Sequence, residues 1–122
     1  FAWRVGQYKA QLLGAIDHAL GQDLYLDLYA ASTKSSTLLQ YCGIDSSRIR
    51  WAVERSPEKV GLVTSGTRIP IISEEEWRQD PAPICLLGAW QWAKEFTERE
   101  HEYLEQGGAF LVPLPAPRLI YG

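Results

Sequence analysis

The residues best suited to chemistry lie at positions 30–37, Ala-Ala-Ser-Thr-Lys-Ser-Ser-Thr. They set hydroxyl groups and one ammonium group beside the backbone N–H groups that the start of a helix leaves unpaired. Such a set suits a phosphate or another anion. Further cations follow at Arg55, Lys59 and Arg68, each of a type that contacts diphosphates. Trp90 and Trp92 offer flat faces for stacking a base or a sugar, with packing of a helix onto a sheet as the plainer use. Glu54 closes a strand, near where dinucleotide-binding sheets place a ribose-binding acid. The glycine fingerprint of those sheets is missing, because no glycine stands between Gly21 and Gly43. No catalytic triad, metal-ligand spacing or carboxylate pair is visible. His18 and His101 have no nucleophile near them in sequence, and Cys42 and Cys85 read as inert buried thiols.

These groups need a scaffold, and the chain suggests one. Its 122 residues fit a single domain over 1–122. An apolar fraction of 46% and a charged fraction of 22% match an ordinary globular domain. A net charge of −3 argues against nucleic acid as a partner. No apolar run approaches the ~20 residues of a membrane span, and no signal peptide is evident, so a cytoplasmic location is the expectation. The chain begins at Phe1 and contains no methionine. That suggests one domain of a longer protein.

Ala2–Leu20 reads as a helix with Val5, Tyr8, Leu12, Ile16 and Leu20 on one face. Gly21 caps it and Gln22-Asp23 leads out. Leu24–Ala31 reads as a strand apolar on both sides, as in a parallel sheet covered by helices. Its one charge, Asp27, is expected to meet a tyrosine hydroxyl or backbone amides. A helix capped by Ser32 or Thr33 runs to about Tyr41, and Gly43 ends it. Ile49–Val53 is the second strand. The stretch 58–68 is a loop of little periodicity. Ile69–Ile72 is a short strand near a sheet edge, because Pro70 cannot donate to a ladder. Ser73 with Glu76 forms a capping box for a short helix over Glu74–Arg78. Ile84–Leu87 reads as a central strand. Gln91–Gln106 reads as one long helix with Ala93, Phe96, Tyr103 and Leu104 inward and a charged outer face. Ala109–Val112 is a fifth strand, and Leu119–Tyr121 is a candidate for another. Strands alternating with helices predict an α/β sandwich around a mostly parallel sheet of about five strands. Its ligand crevice lies beyond the carboxyl ends of the strands. There the turn at 30–37 should meet the exits of the second strand (54–59) and the fourth (88–92).

Four segments in order, YAASTKSSTLLQYCGID, VERSPEKVGLVTSGTRIPI, LLGAWQW and GGAFLVPLPAPRLI, resemble the C-terminal domain of S-adenosylmethionine-dependent C-methyltransferases of nucleotide-linked deoxysugars. The resemblance spans nearly the whole chain from Leu24 onward. Its motifs map onto Tyr29, Ser32, Lys34, Ser35, Ser36 and Thr37, then Glu54, Arg55, Pro57, Lys59, Gly61, Gly66 and Pro70, then Trp90 and Gln91. Of these, Tyr29, Ser32, Lys34, Ser35, Ser36, Thr37, Glu54, Arg55, Lys59 and Trp90 are the candidate substrate contacts. There are departures. Ala30 stands for the family's glycine, Ser35-Ser36 for Gly-Asn, Ser56 for asparagine, Ser65 for proline and Gln91 for asparagine. Losing glycines narrows the backbone's freedom where a ligand comes closest.

The resemblance implies a Rossmann-like three-layer fold and a division of labour. A preceding central domain of the same chain would hold S-adenosylmethionine and the catalytic base. This domain would hold a nucleotide-sugar-like small molecule and no cofactor of its own. A rival reading is a Rossmann-like module that has lost its ligand and serves structure or protein interaction, with Trp3, Trp77 and Trp92 as aromatic surface candidates.

Overall fold

The computed structural model describes residues 2–20, 26–64, 66–114 and 116–121, with side chains in the first helix described from residue 6 to 18. The expectations for Gly21–Tyr25, Ser65 and the side chains of Trp3, Val5 and Leu20 therefore lie outside the described residues.

The chain is an α/β sandwich. Helix α1 spans Ala2–Leu20, β1 Leu26–Tyr29, α2 Thr33–Cys42 and β2 Ile49–Glu54. Next come β3 (Ile71–Ser73), α3 (Glu74–Gln79) and β4 (Ile84–Leu87). A single 3₁₀ turn (Trp90–Trp92) leads to α4 (Ala93–Arg99) and α5 (His101–Glu105), then β5 (Ala109–Val112) and β6 (Arg118–Tyr121). The six strands form one sheet in the order β3-β2-β1-β4-β5-β6. All neighbours are parallel except β5 and β6, which pair antiparallel. This is the doubly wound order in which strand succession reverses between β1 and β4.

Strand alternation divides the core in two. Leu26 and Leu28 of β1 face α1 and α2, where they pack with Leu12, Ile16, Leu39 and Ile49. Asp27 and Tyr29 point to the other face, where Tyr29, Val53, Trp77, Phe96, Tyr103 and Phe110 form an aromatic core. Both sides of β1 are thus buried, as its apolar content predicts. Trp77 is fully buried, so it is no surface candidate, whereas Trp92 is 54% exposed.

The register of β1 against β2 slips by one residue between Leu26 and Leu28. Ahead of the slip, the pairing of Leu26 with Ile49 sets Asp27 beside Arg50. Its guanidinium donates to both oxygens of buried Asp27, at 3.1 and 3.0 Å, and the Ala82 amide donates to one of them at 2.9 Å. Backbone bonding to Asp27 matches the expectation; the arginine partner is additional, and it satisfies a charge that would otherwise be costly to bury.

One helix expected over Gln91–Gln106 is broken. Its start is the 3₁₀ turn Trp90–Trp92, and Glu100 separates α4 from α5. Glu100 is buried, and its carboxylate reaches into the aromatic core instead of joining the charged outer face.

Candidate functional site

Helix α2 begins with two serines that cap each other. Ser32 Oγ accepts from the Ser35 amide at 3.2 Å, and Ser35 Oγ accepts from the Ser32 amide at 2.8 Å. A serine at N3 thereby supplies the second half of a capping box, a part usually taken by Glu or Gln. The pair fixes the first turn of α2, and Gly43 in the left-handed region (φ 71°) ends the helix.

The turn before α2 is tightly held. Ala30 has φ 62°, in the left-handed region that disfavours any residue with a Cβ. The Gly88 amide donates to Tyr29 O at 2.8 Å, and Ser32 Oγ donates to Gly88 O at 3.3 Å. A Cβ added at Gly88 would lie 2.4 Å from Ala30 O, so only glycine allows this approach. The exits of β1 and β4 are therefore stitched directly together at the point where strand order reverses.

The open space lies to one side of that seam, between α2 and the exit of β2. A cleft of about 450 Å³ is lined by Ala31, Ser32, Thr33 and Ser36 on the helix side and by Glu54 and Lys59 across from them. Leu62, Val63 and Thr64 complete the wall and Ile71 the floor. The last four had no place in the candidate site. They belong to the segment 59–71, which folds back as a strap along the edge of β3. Gly61 N donates to Ile71 O at 3.0 Å, Ile71 N to Leu62 O at 2.9 Å, and Thr64 N to Ile69 O at 2.9 Å. A buried pair, Thr64 Oγ1 and Thr67 Oγ1, fixes the tip at 2.5 Å. Gly61 (φ 90°) and Gly66 (φ 79°) supply left-handed turns, and their spacing was the one signal in the sequence for such a strap.

The structure divides the candidate contacts. Ser32, Ser36, Glu54 and Lys59 meet at the cleft. Arg55 lines a neighbouring cleft of about 440 Å³ with Pro57, Val60 and Arg78. Lys34 and Thr37 lie exposed on α2, the Thr37 hydroxyl donating to Thr33 O at 3.1 Å. Ser35 is buried and committed to the cap. Trp90 packs, half-buried, against the aromatic core. Tyr29 faces away from the cleft. Its hydroxyl donates to Glu100 at 2.6 Å, and burial followed by that bond raises its pKa well above the usual tyrosine range.

Glu100 centres a second polar cluster on that far face. Arg78 donates to its two oxygens at 3.0 and 2.6 Å. Burial alone pushes the Glu100 pKa up, yet the bonds from Arg78 and Tyr29 outweigh it and leave the group below its ordinary value. Glu74 joins through Arg78 and Arg99 at 3.4 and 3.2 Å. In sequence Glu100 is one acid within a charged run, and no pattern there sets it apart.

Among the described residues no group of three or more His, Cys, Asp or Glu could hold a metal ion, and no helix is long and apolar enough to cross a membrane. Cys42 and Cys85 are free and buried; burial pushes both thiols up, which keeps them protonated and unreactive.

Comparison with known proteins agrees with the motifs. The model of the C-methyltransferase C-terminal domain matches residues 1–115. C-methyltransferase NovU of Streptomyces niveus is 37% identical over 120 residues, which are 98% of this chain and 29% of that protein. The chain thus spans less than a third of the length of this relative.

Proposed function

The chain belongs to the C-methyltransferase C-terminal domain family, and from that premise we propose that its cleft holds a nucleotide-linked sugar for methylation on carbon. The observation that carries the reading is the convergence at one cleft of Ser32, Thr33 and Ser36 at a helix N-terminus with Lys59 and Glu54 opposite. The helix end and the ammonium group favour a diphosphate. The Glu54 carboxylate accepts hydrogen bonds, which suits a ribose or sugar hydroxyl. Leu62, Val63 and Ile71 give an apolar wall for a ring face. Arg55, one cleft away, and Lys34, on the exposed side of α2, contribute through their fields more than through contact.

In this reading the methyl donor, S-adenosylmethionine, and the base that removes a proton next to a keto group belong to another domain of the same polypeptide. This domain contributes binding and orientation, which raise the rate of a reaction between two held partners. Titration with a thymidine diphosphate sugar tests it. Amide signals of residues 32–37 and of Lys59 should move at submillimolar to millimolar ligand. Unmoved signals at several millimolar would reject the cleft as the substrate site.

The rival reading, an interaction module without ligand, draws on a different observation: three large aliphatic side chains stand exposed on the strap. The two readings differ on whether the cleft fills, and the same titration separates them.

A further inference from the structure

We infer that Ser35 is a positioning residue for the ligand: it closes Ser32 to the cleft and leaves the hydroxyls of Thr33 and Ser36 as the helix-side contacts. The inference rests on the reading just given, because it takes the cleft as the substrate site.

Ser32 is saturated from within. Its amide donates to Ser35 Oγ at 2.8 Å, and its hydroxyl accepts from the Ser35 amide at 3.2 Å and donates to Gly88 O at 3.3 Å. Its carbonyl accepts twice, from the Ser36 amide at 3.0 Å and from the Ser35 hydroxyl at 2.8 Å. These bonds use the amide proton, the hydroxyl proton and both carbonyl lone pairs. What is left on Ser32, one hydroxyl lone pair, can only accept, which does not suit a phosphate. Ser35 is buried, and its hydroxyl proton is committed to Ser32.

The same bonds decide where the neighbouring hydroxyls point. Serine and threonine within a helix often turn back to the carbonyl four residues earlier. Thr37 does so, donating to Thr33 O at 3.1 Å. For Ser36 that carbonyl is Ser32 O, which Ser35 has already filled. For Thr33 it is Tyr29 O, which accepts from the Gly88 amide at 2.8 Å. Neither the Thr33 nor the Ser36 hydroxyl is bonded to any of the described residues, and both residues line the cleft of about 450 Å³. Three residues apart, they share one side of α2. The reciprocal cap of Ser32 and Ser35 holds the turn that carries them, so a ligand need not order it on binding. Two free hydroxyls side by side suit the oxygens of a nucleotide-linked sugar, with the charge supplied by Lys59 across the cleft.

Calorimetric titration of the polypeptide that carries this domain with a thymidine diphosphate sugar, beside a urea curve for each variant, tests the inference. Thr33→Val and Ser36→Ala are each expected to weaken binding about fivefold, the scale of one neutral hydrogen bond, without lowering the urea midpoint. Ser35→Ala should lower the midpoint. With the turn released, Thr33→Val added to it should cost less than about twofold more. A merely structural serine would lower the midpoint and leave the full cost of Thr33→Val in place; that result overturns the positioning role. Ser32→Ala breaks the same cap from its other half, so it repeats the cycle should Ser35→Ala fail to fold. If the parent binds and either Thr33→Val or Ser36→Ala matches it, the contact assignment falls and the cleft reading stands. A parent that binds no sugar at several millimolar overturns both.

Discussion

The two faces of β1 carry polar groups of opposite fate. On the α3–α5 face, Tyr29, Arg78 and Glu100 satisfy one another: the carboxylate takes three hydrogen bonds, from the tyrosine at 2.6 Å and the arginine at 3.0 and 2.6 Å. On the α2 side, Lys59 and Ser36 line an open cleft. Each set draws one member from the same motif, since Tyr29 and Ser36 are seven residues apart. A polar group closed into a partner network stabilises the fold. A polar group that converges with others on open space is available to a ligand. Residue type does not separate the two; direction of the side chain does.

The largest expected effect breaks the closed side. Glu100→Ala removes the shorter acceptor of a buried tyrosine hydroxyl and of Arg78, leaving each only the longer contact to Glu74 at 3.3 and 3.4 Å. It should cost about 3 kcal/mol, the low end for breaking a buried pair, because Arg78 still reaches water. Urea denaturation measures it, and a loss under about 1 kcal/mol would equate this network with a surface ion pair. The same group sets a pH dependence. Its folded pKa lies below the unfolded value, so its contribution is present above the ordinary carboxylate range and is lost as pH falls through the folded value. Stability of the parent should fall on acidification, and Glu100→Gln should flatten that part of the curve.

Next comes the open side. Lys59→Ala should weaken nucleotide-sugar binding about tenfold, the scale of one charge-assisted hydrogen bond, with stability within about 0.5 kcal/mol of the parent. Calorimetric titration and a urea curve read the two effects. Lys34→Ala, on the exposed side of α2, should change neither. Equal losses from both lysines would mean that a diffuse field, and not the cleft, attracts the ligand. Ser32→Ala falls between the faces. Loss of the cap should cost about 1 kcal/mol, and binding should weaken as the first turn of α2 frays.

Most of the scaffold was legible in the sequence, and the reason is physical. Two-sided apolar strands, helix caps at Ser32 and Ser73, a helix stop at Gly43 and an edge-strand mark at Pro70 are local signals, and the strands and the helices α2 and α3 appear where those signals lie. Buried polar partners are not local. Arg50 meets Asp27 across neighbouring strands, 23 residues apart in sequence, and Glu100 enters the core at the break between α4 and α5. Neither event has a pattern within a few residues. The candidate site suffered likewise. Tyr29 and Ser35 belong to the motif that surrounds the cleft, but strand alternation and the cap turn them inward. Leu62 and Val63 carry no local signal, because the strap's pairing with Ile69 and Ile71 crosses a turn of irregular sequence.

The smallest prediction concerns the hinge between the two faces. Ala30 pairs the buried Tyr29 with the cleft residue Ala31 and holds φ 62°. Left-handed alanine costs about 1 kcal/mol relative to glycine there, while glycine gives back up to about that much through a more flexible unfolded chain. The Ala30 methyl also packs partly against the aromatic core. These terms nearly cancel, so Ala30→Gly should stabilise the domain by no more than about 0.5 kcal/mol, seen as a small rise in urea midpoint. Its value lies in the sign. A clear loss above about 1 kcal/mol would show that the methyl belongs to the closed aromatic core and that the turn has been absorbed into the fold. A gain, with amide signals of residues 31–36 sharpened or shifted, would show that the turn still belongs to the open side. There the alanine is strain at the rim of the cleft, because the Gly88 amide and Ser32 hydroxyl hold the backbone in a shape that glycine adopts freely.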